Sequence, residues 1–353
     1  MRITDADTGR LLGEAFGDLG PAVFERTGIR FPEAEVVLPA SGIDLASVDG
    51  RPLGLVIGAR ARWFPGRLRL AYRYGRVGSV GNLLDIEDYL PAVVAAELDT
   101  RFHPETFRAQ AIIARTFAWY QMRTVGRKRP HDVTASEGSQ MYLHLQRVEE
   151  VPEALCAVRD TTGLVCTWHS PAGDRIFCTY YSSACGGWTA SSLALSPMRP
   201  VPPLAGDVLC PSCRYEQPFP WGPVVVPKAD LAARLAARDR RFKALEAIDR
   251  LEIHRMTGSG RPLAVTAVDI SGREAELDAE NFRLALDPTG REIRSAFACM
   301  EDAGEAIVIR DGRGFGHGVG LCQHGAEWLA RRGADAATIL RHYYPGSKLR
   351  RAY

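Results

Sequence analysis

From Pro104 to Met122 the sequence reads PETFRAQAIIARTFAWYQM, and its periodicity predicts a helix that is apolar nearly all round. Ala111, Ile112, Ile113, Ala114, Phe117, Ala118 and Trp119 leave it almost no polar face. A helix of that kind belongs in a protein interior. Arg115 interrupts the run, and a guanidinium cannot shed its proton there. It must meet a carboxylate, backbone carbonyls or a ligand. A structural ion pair and a functional role are both open on this pattern.

The preceding segment, 86 to 98, repeats Tyr89, Leu90, Val93, Val94 and Glu97 at three- and four-residue intervals and predicts a first helix. Glu97 falls on the same face as Leu90, Val93 and Val94. Desolvation on such a stripe disfavours the charged form, which is how proteins keep a carboxylic acid able to donate a proton. The alternative is a helix-end glutamate that reaches water or pairs with an arginine.

Around this helical hairpin the chain organises as an α+β protein, with mixed helices and antiparallel sheets around a central cleft. Residues 1–85 form a strand-rich region, in which EVVLP, PLGLVIGA and RLRLAYRY are separated by Gly and Pro breakers. GLVCTWHS and DRIFCTYYSS predict a hairpin that leads into a glycine-rich loop. Residues 196–247 form an irregular Cys/Pro-rich excursion followed by an amphipathic helix over 228–247. Strands return from Leu251 to Ile309, and a last helix is expected near 323–332.

Composition narrows the function classes. The 353 residues carry 44 Lys+Arg against 42 Asp+Glu, a net charge of +2, without the basic excess that nucleic-acid binding requires. An apolar content of 46% with 24% charged residues excludes intrinsic disorder. No apolar run reaches the roughly 18 residues of a membrane-spanning helix. The N-terminal MRITDADTGRLLGEAFGDLG lacks the features of a secretory signal, so either the chain stays inside or its export segment is not part of this sequence.

Eight cysteines, none before residue 156, include Cys210-Pro-Ser-Cys213 with the two-residue gap that tetrahedral zinc favours. Cys185 or Cys178 could complete such a site, and Cys166-Thr-Trp-His169 is another half-site by spacing. A disulfide and plain buried thiols are the alternatives. The run Gly312-Arg-Gly-Phe-Gly-His317-Gly-Val-Gly320 fits neither the dinucleotide fingerprint nor a P-loop. His317, with Gln323 and His324 after it, reads as a polar wall, and Cys322 beside these histidines raises the further reading of a thiol hydrolase.

DIEDYLPAVVAAELDTRFHPETFRAQAIIARTFAWYQM resembles the central signature of the stage II sporulation protein D and amidase-enhancer (SpoIID/LytB) family. Four more blocks agree in order: SQMY at 139–142, YYSSACGGWT at 180–189, SGRPLAVTAVDI at 259–270 with FR at 282–283, and the glycine-rich segment through ILRHYYPG at 312–346. The resemblance covers residues 86–349 as one catalytic core. It implies a peptidoglycan lytic transglycosylase that leaves 1,6-anhydro-MurNAc ends on peptide-stripped glycan, or alternatively a non-catalytic wall-binding enhancer of an N-acetylmuramoyl-L-alanine amidase.

The resemblance puts the catalytic acid/base on Glu97 and a second active-site residue on Arg115. It leaves Gln140, Tyr142, Ser182, Ser183, Gly186, Gly187, His317 and Gln323 to line the substrate groove. No cofactor is required for catalysis, and a structural zinc falls on Cys185, Cys210 and Cys213. Ser182 departs from the family pattern, because relatives often carry histidine there. Peptidoglycan as substrate and a wall amidase as partner imply a location in the cell envelope, outside the cytoplasmic membrane.

Overall fold

Alternation of apolar and charged residues builds the first part of the chain. In strand Arg67–Arg73 the side chains of Leu68 and Leu70 are buried, and in Gly42–Ala46 so are Ile43 and Leu45. These strands belong to a five-stranded antiparallel sheet in the order Arg76–Leu83, Arg67–Arg73, Gly42–Ala46, Arg2–Asp5, Leu11–Glu14. Asp44, itself buried, accepts two hydrogen bonds from Arg69 at 2.7 and 2.8 Å. A three-stranded sheet (Val23–Glu25, Gly28–Phe31, Val36–Leu38) and a hairpin (Leu53–Ile57, Arg60–Phe64) complete the strand-rich region.

The computed structural model describes residues 1–15, 17, 19–20, 23–25, 28–31, 36–38, 42–57, 60–73, 76–124, 126, 129, 131–136, 138–143, 145–195, 201–216 and 219–353. They form two compact units. The first comprises Met1–Thr100 and Gln121–Thr162, the second Arg101–Tyr120 and Gly163–Tyr353. The block 86–349 is therefore shared between them.

Helix α1 (Ile86–Glu97) stands in the first unit, capped at its start by Asp85, whose side chain accepts from Glu87 N at 2.9 Å. Leu90, Val93 and Val94 are fully buried, as the periodicity requires. Helix α2 (Pro104–Arg123) contributes its residues 104–120 to the second unit. Helices α3 (Leu145–Glu149) and α4 (Pro152–Asp160) pack near α1.

In the second unit, Leu164–Ser170 pairs with Gly173–Ile176 on one side and Ser347–Arg351 on the other. Two further three-stranded antiparallel sheets are Val224–Pro227, Ala306–Arg310, Cys299–Asp302 and Ile248–Met256, Pro262–Asp269, Glu274–Asp278. Among the described residues one strand pair runs parallel, Tyr181–Ser182 with Leu321–Cys322. Helices α5 (Lys228–Arg238), α6 (Ala279–Leu286), α7 (Gln323–Ala330) and α8 (Ala336–Tyr343) complete the unit. The architecture is α+β.

The structure corrects several expectations. The helix expected over 228–247 ends at Arg238, because Asp239 turns extended and its side chain accepts from Arg241 N at 2.9 Å, starting a short 3-10 turn that buries Phe242. DRIFCTYYSS is not one strand. It pairs as Gly173–Ile176, then again only at Tyr181–Ser182. The Pro-rich excursion contains strands Pro220–Trp221 and Val224–Pro227, while its residues 196–200 and 217–218 lie outside the described residues, as do Glu35 and Pro39 of EVVLP. No helix among the described residues is long and apolar enough to cross a membrane.

Candidate active site and thiol centre

In the first unit, α1 ends at Glu97 and leaves its side chain part-buried, while the residues of the stripe behind it are sealed. The carboxylate is thus not on the closed surface that the helix pattern suggested. Glu97 Oε1 accepts a 2.8 Å hydrogen bond from the backbone N–H of Met141, which aligns the SQMY segment with the helix end. Gln140, next to it, is fully buried and accepts from Tyr89 Oη at 3.2 Å.

Tyr142 donates to Asn82 Oδ1 at 2.6 Å and stacks on Tyr89 (centroids 5.2 Å, planes 21° apart) and on Phe64 (6.3 Å, 25°). Burial, with the charges of Tyr142 and Glu97 nearby, pushes the Tyr89 phenol far above its ordinary value. Burial does the same for Tyr142. Both phenols remain hydrogen-bond donors at any physiological pH. Glu97, Gln140 and Tyr142 are therefore gathered in one place. Tyr89 and Asn82, which sequence reasoning did not single out, hold two of them.

In the second unit, Arg115 is fully buried and Nη1 donates to Leu164 O at 3.3 Å, so backbone carbonyl is one of its partners. The next residue, Thr116, accepts from Cys166 N at 2.9 Å, and Thr179 donates to Ile113 O at 2.7 Å, tying α2 to the strands beside it.

Ser182 is buried beside Cys322 across the parallel pair, and its Oγ has no hydrogen-bond partner among the described residues. Ser183 accepts from His324 N at 3.1 Å through its carbonyl. The two glycine-rich loops lie backbone against backbone: Ala184 and Phe315 exchange hydrogen bonds at 3.1 and 2.7 Å. A Cβ on Gly186 would come within 2.7 Å of Arg313 O, so only glycine permits that approach. Gly187 is likewise buried, and a Cβ on it would stand 3.4 Å from Arg214 Cα.

His317 is part-buried, and its Nδ1 accepts from Val319 N at 2.9 Å, which leaves Nε2 to carry the proton. Desolvation lowers its pKa to about 4, so the ring is neutral at neutral pH. Gln323 is buried, and its Nε2 has no partner among the described residues.

Four thiols meet in the same unit. The sulfurs of Cys185, Cys210, Cys213 and Cys322 all lie within 4.8 Å of one another, and all four residues are fully buried. Cys213 and Cys322 are 3.5 Å apart at sulfur, and Cys210 Sγ is 3.3 Å from Tyr343 Oη. Cys322 caps α7, and its sulfur accepts from Gly325 N and Cys185 N at 3.4 Å each. Helix start and amide donors favour sulfur as thiolate. The groups are coupled: hydrogen bonds from Cys185 and its neighbours hold Cys210 and Cys213 below the ordinary thiol value, while burial holds Cys185 and Cys322 above it.

Cys322 was the thiol that spacing alone did not assign to this group. Cys178 is not in it, and Cys166 and His169 are no half-site, since their odd spacing turns Cys166 inward and His169 out toward Asp174, 2.9 Å away. Fully buried among three other sulfurs, Cys322 lacks the solvent-accessible face of a catalytic thiol.

A family model described as stage II sporulation protein matches residues 74–168. An uncharacterized protein of Brachyspira hyodysenteriae is 30% identical over 267 residues, covering 76% of this chain and 67% of that protein. The stage II sporulation protein D of Bacillus amyloliquefaciens is 27% identical over 289 residues, 76% of this chain and 74% of its own length. That of Bacillus subtilis is 25% identical over 296 residues, with 78% and 76% covered.

The chain belongs to the stage II sporulation protein D family. The stage II sporulation protein match spans Glu97, Arg115, Gln140 and Tyr142, whereas the thiol centre lies beyond it. Membership supports a cell-wall-related role.

Proposed function

We propose that the protein is a lytic transglycosylase of peptidoglycan, acting in the cell envelope outside the cytoplasmic membrane on glycan strands stripped of stem peptides. The observation that carries this reading is the Glu97 carboxyl, fixed by Met141 N–H yet left part-exposed at the end of a buried helix. An acid that must hand a proton to a polymer needs both a fixed direction and an open side.

Glu97 donates its proton to the glycosidic oxygen between MurNAc and GlcNAc. It then takes the proton of the muramyl 6-hydroxyl as that oxygen closes on C1, giving a 1,6-anhydro end and a restored acid. The nucleophile is within the substrate, so no second carboxylate has to activate water. Gln140 and Tyr142 supply amide and phenol groups beside Glu97. Arg115 enters this reading through the family resemblance alone.

The test is digestion of intact and denuded glycan by the wild-type chain and Glu97→Gln, with mass spectrometry of the products. Anhydromuramyl ends from the wild type and none from the variant are expected. Equal yields from both would remove Glu97 from the role, and none from either would favour the amidase-enhancer alternative.

The four thiols support a structural zinc. On a tetrahedral zinc with Zn–S of ~2.3 Å, sulfurs stand roughly 3.8 Å apart. The observed grouping needs little adjustment to reach that spacing. Cys185, Cys210, Cys213 and Cys322 would hold the ion, which supplies cross-linking of the glycine-rich loops and no chemistry on the glycan. Metal analysis of reduced protein purified without chelator decides it, and a metal content near zero ends the idea.

A further inference from the structure

Arg261, at the head of strand Pro262–Asp269, is fully buried, and among the described residues none of its hydrogen bonds goes to a carboxylate. Nη1 donates to His317 O at 3.2 Å, and Nη2 donates to Cys185 O and, at 3.4 Å, to Trp188 O. Its Nε has no partner among the described residues. The guanidinium carbon sits 4.6 Å from the centre of the Phe297 ring. Gly318 makes room for it, since a Cβ there would come within 2.6 Å of Nη1.

The neighbouring carboxylates are already engaged. Glu280 is closed in a two-pronged pair with Arg283 at 2.7 and 2.9 Å, and Asp207 accepts from the N–H groups of Gly258 and Ser259. The Arg261 guanidinium keeps its proton at neutral pH even when buried. Backbone carbonyls meet part of the need of such a buried cation, and negative charge close by offsets more of its desolvation cost. Four thiolates on a divalent ion leave a net charge of minus two, and Arg261 is tied to the backbone of one of those ligands.

We propose that Arg261 is the internal counter-cation and positioning residue of the metal centre formed by Cys185, Cys210, Cys213 and Cys322. This rests on the reading of those thiols as a metal site. Its guanidinium spans the loop that carries Cys185 and the glycine loop that leads into Cys322, so one side chain sets two ligands and offsets part of their charge. Outer-sphere partners of this kind typically change metal affinity by about 10–100-fold.

The test compares full-length wild type with Arg261→Met, Arg261→Lys and Gly318→Ala, each loaded with zinc. Zinc release to a chromophoric chelator at fixed pH is timed, and the thiolate-to-metal absorption of the cobalt-substituted proteins is recorded. Arg261→Met keeps the four-sulfur cobalt spectrum and releases zinc roughly 10-fold faster or more. Gly318→Ala, which displaces the guanidinium without removing its charge, moves the same way, and Arg261→Lys falls between. If Arg261→Met fails to fold, the other two variants carry the decision. Release as slow as wild type from the variants, with the wild type holding one zinc, overturns the role of Arg261 and leaves the metal site standing. A wild-type chain that takes up neither zinc nor cobalt overturns the metal site itself.

Discussion

The end of α1 and the thiol centre solve opposite problems with the same materials. Glu97 is gripped by one backbone amide and flanked by stacked tyrosines, yet its side chain stays part-exposed. In the thiol centre two backbone amides likewise hold the Cys322 sulfur and a tyrosine flanks Cys210, but nothing of the four cysteines reaches solvent. On the function proposed above, the difference separates a group that exchanges a proton with something arriving from outside from one whose task is finished once the chain has folded. Activity and stability should therefore respond independently to changes in the two regions.

The strongest way to break that contrast is Glu97→Gln. The amide keeps an acceptor for Met141 N–H, so thermal unfolding should barely move, while the yield of anhydromuramyl ends falls by roughly 10²–10⁴-fold. A variant that unfolds early and still cuts would reverse the assignment of the two regions. Stripping metal from the reduced protein should act the other way, lowering unfolding free energy by on the order of 4 kcal/mol if zinc had been present at about a thousand times its dissociation constant. Calorimetry with and without chelator reads this directly.

Glu280 sharpens the comparison because it is an acid treated like the thiols. It is buried, and Arg283 beside it holds its carboxyl below the usual range in spite of that burial. Glu280→Gln should cost about 3 kcal/mol in denaturant unfolding, since Arg283 loses its ion in the interior.

His317 supplies a pH signature. Its imidazole stays neutral down to about 4 in the fold, whereas an unfolded chain takes up the proton near 6.5. Stability therefore falls as pH drops from about 6.5 towards 4, by at most about 1.4 kcal/mol per pH unit, and His317→Asn should flatten that slope. The smallest effect is expected for Tyr142→Phe, which keeps the stack on Tyr89 but loses the 2.6 Å bond to Asn82, worth about 1 kcal/mol in urea titration.

Helical periodicity made α1 and α2 legible to within a residue or so, because a long stripe of apolar side chains admits no other regular structure. It left open whether Glu97 stays on its stripe or emerges at the helix end, since the helix stops on that residue and the last turn is set by what packs around it. The amphipathic pattern after Lys228 likewise ran past Asp239, where a side-chain cap outweighs periodicity.

Cys210 and Cys213 announce themselves by their spacing. Cys322 does not, because it meets Cys213 across 109 positions of sequence and only the pairing of Ser182 with Cys322 brings its loop home. Arg261 sits between Gly260 and Pro262, a setting that reads as an exposed turn. Its burial follows from Phe297 and Gly318, which no local pattern connects to it.

One glycine of α7 has a practical consequence. Any larger residue at Gly325 would collide with the Tyr343 hydroxyl, so that ring is pressed into place with its oxygen 3.3 Å from Cys210 sulfur. The phenol is thereby a native optical probe: its ultraviolet absorption should change whenever the sulfurs gain or lose a cation, allowing occupancy to be followed without any dye or label.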